Sequence, residues 1–172
     1  VGSAFYAYGT AYPHTSWAEQ NPEDWWQAIC VSTGQLLSQT GVRSDEVACS
    51  TFSGQMMGCV AVDRLGRPLR SAMIWADGRA TREAARLGET LGFENAYRIT
   101  GHRISANYAS PKMVWIRNHQ PELFAQVHKF LLAKDFIVAR LTGKFVSDFT
   151  DAASMNLIDL HTWNWSPPIL EA

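Results

Sequence analysis

Ser53-Gly54-Gln55-Met56-Met57-Gly58 sets an amide and two thioethers between glycines, beside the apolar runs Val47-Ala48-Cys49 and Cys59-Val60-Ala61-Val62. Glycine at a strand junction lets the backbone come close to a ligand. A sugar site needs such a mixture: amide and carboxylate groups for hydroxyls, and an aromatic or apolar wall for the C–H face. Trp75 and Asp77, at the end of the run Ala72-Met73-Ile74-Trp75, supply both kinds of group. The same hexapeptide also reads as a tight inter-strand connection whose methionines fill core gaps, and residue chemistry alone ranks that reading first.

Other chemistries find no support. Neither Gly-x-x-x-x-Gly-Lys-Ser/Thr nor Gly-x-Gly-x-x-Gly occurs, so the common phosphate cradles are not encoded. His14, His102, His119, His128 and His161 are scattered, without Cys-x-x-Cys or His-Glu-x-x-His, so no metal site is expected. Ser53 is preceded by Thr51-Phe52, which does not complete the nucleophile elbow of serine hydrolases. With 15 basic and 16 acidic residues the formal charge is −1, which disfavours nucleic acid as a partner. Apolar stretches such as Phe130-Leu131-Leu132-Ala133 are too short to span a bilayer, so no membrane partner is expected. Cys30, Cys49 and Cys59 are an odd set at unrelated spacings in apolar segments, which points to a reducing, cytoplasmic setting.

The elements that must position these groups follow from capping and periodicity. The opening stretch, with Phe5, Tyr6, Tyr8 and Tyr12, predicts a strand ending at Pro13. Asn21-Pro22-Glu23-Asp24 predicts a helix start, with Trp25, Ile29 and Leu36 on its apolar stripe and Gly41 as its stop. Val47–Cys49 predicts a short buried run. Asp63-Arg64-Leu65-Gly66-Arg67-Pro68 predicts the turn of a hairpin joining Cys59–Val62 to Ala72–Trp75. A helix follows Arg79 and ends at Gly92, and three more are expected at about Pro111–His119, Pro121–Lys129 and Lys134–Leu141, the last closed by Gly143. Strands with intervening helix, then mostly helices, describe one α/β domain over residues 1–172.

Several segments resemble the FGGY family of carbohydrate kinases, in particular its xylulokinase-like branch. Trp17-Ala18-Glu19-Gln20-Asn21-Pro22-Glu23-Asp24-Trp25-Trp26 is similar to the family's W-x-E-Q-D-P-E-D-W-W, and Ser53–Gly58 to S-G-Q-M-H-G. Ile74-Trp75-Ala76-Asp77-Gly78-Arg79 resembles I-L-W-x-D-x-R, and Ala109-Ser110-Pro111-Lys112-Met113-Val114-Trp115 resembles A-P-K-L-L-W. Phe130–Phe136, Leu141-Thr142-Gly143 and Ser147–Ser154 continue in the family's order. The resemblance implies a ribonuclease H-like mixed sheet with flanking helices, as in the N-terminal lobe of the actin-like ATPase (sugar kinase) superfamily. It further implies transfer of the γ-phosphoryl of Mg-ATP to a hydroxyl of a pentulose or related sugar or polyol, with ATP and Mg2+ as cofactors of the full-length protein and neither bound by this chain alone.

Carried over position by position, Gln55, Met56 and Met57 fall on the loop that meets the sugar, Trp75 on the pocket aromatic, and Asn107 and Tyr108 on the stretch that places a side chain over the substrate. Asp77 and Arg79 are expected to form a cap with its ion pair. Lys112 is balanced between a solvated helix start and polar support of the site. Trp25 and Trp26 read as core anchors, and Asp148 and Asp151 as turn or cap residues. No catalytic residue is expected in this chain: the general-base Asp belongs to the C-terminal ATP-binding lobe, and the phosphate-binding opening hairpin to a segment before Val1. Met57 stands where the branch has His, so the resemblance leaves a pentulose, a polyol or an aldonate open as substrate. Rival readings are a non-catalytic sugar-binding or regulatory module derived from such a kinase, and a lobe serving as a homodimer interface.

Overall fold

The computed structural model describes residues 1–172. In chain order the elements are β1 (Glu19–Gln20), α1 (Pro22–Thr40), a 3-10 turn at Ser44–Glu46, β2 (Val60–Val62), β3 (Ala72–Met73), α2 (Thr81–Leu91), α3 (Phe93–Thr100) and α4 (Ala109–His119). Then come α5 (Pro121–Phe124), β4 (Lys129–Leu131), α6 (Ala133–Thr142), α7 (Phe149–Ser154), β5 (Ile158–Asp159), β6 (Asn164–Trp165) and α8 (Pro167–Leu170).

Helix α1 forms where its signals predict. The Asn21 side chain accepts the Glu23 N–H at 3.2 Å, Pro22 occupies the first turn, and Glu23 and Asp24 meet the positive helix end. Gly41, at φ 70°, ends the helix in the left-handed conformation and donates its N–H to the Leu37 carbonyl.

The strands pair antiparallel: β1 with β3 through Glu19↔Met73, and β2 with β4 through Val60↔Leu131, Ala61↔Phe130 and Val62↔Lys129. Bridges Ala11↔Glu19 and Cys59↔Met73 join these ladders, so the order runs from Ala11 through β1, β3 and β2 to β4. Successive side chains of a strand point to opposite faces, and this period builds two cores. Val60, Val62, Ala72 and Ile74 meet Trp25 of α1 and Phe136 and Ile137 of α6 on one face. Cys59, Ala61 and Met73 meet Ala80 and Trp115 and Ile116 of α4 on the other. The result is an α/β arrangement with helices on both sides of the strands.

Four expectations are corrected. The opening stretch is not a strand: only Ala11 bridges, and Phe5 and Tyr12 stand 84% and 71% exposed. Val47–Cys49 is exposed and irregular, because no segment of the chain offers it a pairing partner. The helix expected to reach Lys129 stops at Phe124, and Lys129–Leu131 pairs with β2 instead, a short apolar run that periodicity alone does not assign. Of the three free cysteines only Cys59 is buried; Cys30 and Cys49 lie at the surface. No helix is long and apolar enough to cross a membrane.

Asp135, in the first turn of α6, is 1% exposed and accepts the Leu132 N–H at 3.3 Å. Burial pushes its carboxyl up to about 6, against the pull of Ser147 and the Leu132 N–H. An unfolded Asp titrates near 3.9, so between about pH 4 and pH 6 the folded chain holds a proton that the unfolded chain has released. Stability from this group is therefore present at low pH and lost as pH rises through about 6. Asp148 works in the opposite direction: its ion pair with Lys134 holds its carboxyl below the usual range, so its contribution is lost on acidification. Asp135→Asn keeps the acceptor and removes the titration. Urea midpoints at about pH 4.5 and about pH 7 should show a relative gain for the variant at the higher pH. Equal differences at both pH values would contradict the assignment.

Candidate functional site

Lys112 gathers the expected site segments. It lies in the first turns of α4 with its side chain fully buried. Its Nζ donates to the carbonyls of Met57 and Ile74, each at 2.8 Å, and to that of Asn107. The methionine loop, the end of β3 and the segment before α4 thus share one ammonium, whose three N–H groups match three acceptors. Burial pulls the Lys112 pKa down to about 8, opposed in part by the nearby Asp77 carboxylate. Of the two roles the sequence leaves open for Lys112, the geometry excludes the solvated one.

Trp75 sits in the turn just past β3 with its side chain 52% exposed, and its carbonyl accepts the Asn107 Nδ2 at 2.9 Å. Asn107 is itself exposed, so Trp75 and Asn107 stand together at the surface. Met56 is 41% exposed, and Met57 adopts φ 62°, a left-handed conformation rare for a residue with a Cβ. Tyr108 precedes the first residue of α4, its hydroxyl 3.3 Å from His102 Nδ1. His102 carried no signal in the sequence as the partner of Tyr108.

Gln55 faces elsewhere. Its Nε2 donates to Gln20 Oε1 at 2.8 Å, and that oxygen also accepts the Trp25 Nε1 at 2.9 Å. Gln55 lines a cavity of about 480 Å³ with Phe5, Tyr8, Trp25, Phe52 and Lys134. Met57, Trp75, Asn107 and Tyr108 do not line that cavity.

The Asp77 and Arg79 side chains are buried and form the expected ion pair, but Asp77 does not cap α2. That helix starts at Thr81 behind Ala80, too far along the chain for the Asp77 side chain to satisfy it. Asp77 instead accepts the backbone N–H groups of Ala18 at 2.7 Å and Arg79 at 3.1 Å, tying the segment before β1 to the turn after β3. Arg79 Nη2 contacts Asp77 Oδ2 and Glu19 Oε1, each at 2.6 Å, and Arg70 also pairs with Glu19. The Arg79 guanidinium lies 3.6 Å over the Trp17 ring, with Trp115 beyond. Trp25 is a core residue, Trp26 lies under Arg140, and Asp148 caps α7 through the N–H groups of Thr150 and Asp151.

Around Lys112, Trp75 and Asn107 are exposed and in contact, with the backbone of Met57 tied to the same ammonium, groups whose chemistry is recognition and not bond-making. No group of three or more His, Cys, Asp or Glu side chains converges to hold a metal ion.

The family model described as "FGGY family of carbohydrate kinases, N-terminal domain" matches residues 1–172. The xylulose kinase of Escherichia coli (strain K12) is 37% identical over 160 residues, which cover 93% of this chain and 32% of that protein. A crystal structure of a xyloylose kinase from Brucella ovis superposes with a TM-score of 0.93 at 32% identity, covering 99% of this chain and 35% of that one. The gluconate kinase of Lactobacillus acidophilus superposes with a TM-score of 0.88 at 25% identity, covering 96% and 33%. The chain spans about a third of the length of the relatives it matches.

Proposed function

Because this chain belongs to the FGGY family of carbohydrate kinases and matches its N-terminal domain, we propose that it is the larger part of the sugar-binding lobe of an ATP-dependent kinase. The α/β lobe is of the actin-like ATPase type. The proposed reaction transfers the γ-phosphoryl of ATP to a hydroxyl of a pentulose or a related sugar or polyol. The observation that carries this reading is the convergence of the Met57, Ile74 and Asn107 carbonyls on Lys112, with Trp75 tied to Asn107 through its own carbonyl. It presents an apolar face for sugar C–H groups beside an amide for hydroxyls.

In this proposal Met56, Met57, Trp75, Asn107 and Tyr108 meet the sugar, and Gln55 closes the inner edge of the loop. A thioether is a weak acceptor, so the Met57 side chain contributes shape more than hydrogen bonding. This favours a substrate whose apolar face, not a hydroxyl, lies over that position. In this proposal ATP and its divalent metal, Mg2+, are held by the remainder of the protein. The exposed run Val47–Cys49 and the cavity lined by Phe5 and Phe52 are surfaces suited to packing against that remainder. A cytoplasmic location is part of the proposal, supported by the unpaired surface thiols of Cys30 and Cys49.

The test is release of ADP by the full-length protein with Mg-ATP and a panel of ketopentoses, polyols and aldonates. Saturable turnover of at least one class is expected, and none from the 172-residue chain alone. A folded full-length protein that phosphorylates no member of the panel would falsify the proposal.

A further inference from the structure

The geometry points to Lys112 as a positioning residue whose three N–H donors hold the sugar-facing wall in its binding shape, chiefly by fixing the left-handed turn at Met57. This rests on the reading of the wall as the sugar site. Met57 carries a Cβ yet sits at φ 62°, a conformation that persists only where its surroundings impose it. The Met57 carbonyl is bound by Lys112 Nζ, as are those of Ile74 and Asn107, which lie 38 and 5 positions from the lysine. Asn107 in turn holds the Trp75 carbonyl through its side-chain amide. One buried atom therefore fixes three loops relative to one another, and none of the contacts is with a carboxylate that would satisfy the charge directly.

The stoichiometry of donors makes this arrangement sensitive to protonation. An ammonium offers three N–H groups to three carbonyls, whereas a neutral amine offers two and adds a lone pair that faces an acceptor. The charged or titratable groups around Lys112 are Cys59 beside β2 and Asp77 and Arg79 beyond β3. Burial raises the Cys59 thiol to about 12, so it stays neutral through the range in which Lys112, near 8, loses its proton. Deprotonation then breaks one of the three bonds, and the Met57 turn, which is the strained partner, is the one that relaxes. Sugar recognition would weaken on the alkaline side while nucleotide binding, made by other parts of the protein, would not.

Two measurements on the full-length protein test this. With methionine methyl groups labelled with 13C, and the Met57 signal assigned through Met57→Leu, that signal should move through a single midpoint near pH 8 in the wild type and stay still in Lys112→Met. In steady-state kinetics the sugar KM should rise about tenfold or more from about pH 7 to about pH 9, with the ATP KM unchanged within about twofold. Lys112→Met should show the raised sugar KM at every pH. A Met57 signal and a sugar KM that both stay flat in the folded wild type overturn the proposal, whether or not the variant folds. If no sugar is phosphorylated at all, the kinase reading fails, and the methyl titration alone decides whether Lys112 controls the Met57 turn.

Discussion

Arg79→Met in the full-length protein is expected to lower the free energy of unfolding by about 3–5 kcal/mol, read from urea denaturation at neutral pH. The Arg79 side chain is 1% exposed and its Nη2 serves Asp77 and Glu19 at once. Glu19 keeps Arg70 when Arg79 is removed, but Asp77 keeps only the N–H groups of Ala18 and of residue 79. A fully buried carboxylate would then lack its directly paired cation, Lys112 being bonded to carbonyls, and that leftover charge, more than the lost pair, sets the size of the effect. Loss of the guanidinium from the Trp17 face, 3.6 Å away, adds to it. Arg79→Lys should be intermediate, because an ammonium keeps the charge but neither stacks nor forks. Asp77→Asn combined with Arg79→Met should recover part of the loss, since no unpaired charge remains. A cost under about 1 kcal/mol for Arg79→Met would show that Asp77 is satisfied by other means.

Trp75→Ala is expected to raise the sugar KM of the full-length protein about tenfold or more, about 1.4 kcal/mol of binding at tenfold, with stability changed by less than about 0.5 kcal/mol. The separation follows from where the residue sits. Half of its side chain is exposed, so little core is lost, and its structural contact is the backbone carbonyl that accepts from Asn107, which alanine retains. What alanine removes is the aromatic wall. Trp75→Phe should restore most of the affinity, because a smaller ring still offers a flat apolar face. Michaelis kinetics beside thermal unfolding separates the outcomes: an unchanged sugar KM removes Trp75 from the site. A KM that rises only together with a fall in Tm assigns it a structural role.

Much of the secondary structure was legible because its causes are local. Asn21-Pro22-Glu23-Asp24 satisfies the start of α1 within a few residues, and Gly41 and Gly143 end α1 and α6 at φ 70° as their positions require. The turn Asp63–Pro68 closes on itself through the N–H groups of Leu65 and Arg67 to Asp63. Misread segments depended on distant partners. Lys129–Leu131 is a strand because Val60–Val62 lies beside it, and Val47–Cys49 is not one because nothing does. Helix α3 was missed because Gly92 precedes it without any side-chain cap, leaving no start signal.

At the site, the resemblance to the sugar kinases, and not residue chemistry alone, put Met57, Trp75, Asn107 and Tyr108 forward as one group, whereas the pairing of Asp77 with Arg79 was legible from two nearby residues. Whether those residues meet, and what holds them, depended on contacts between segments that no spacing rule connects. Lys112 bonds to a carbonyl 55 positions away, and Arg79 stacks on a tryptophan drawn in from before β1. A lysine in a helix start is equally compatible with solvent and with burial until the surrounding backbone is in place. Only folding brings three carbonyls to one point, and the ammonium then replaces its water shell with them.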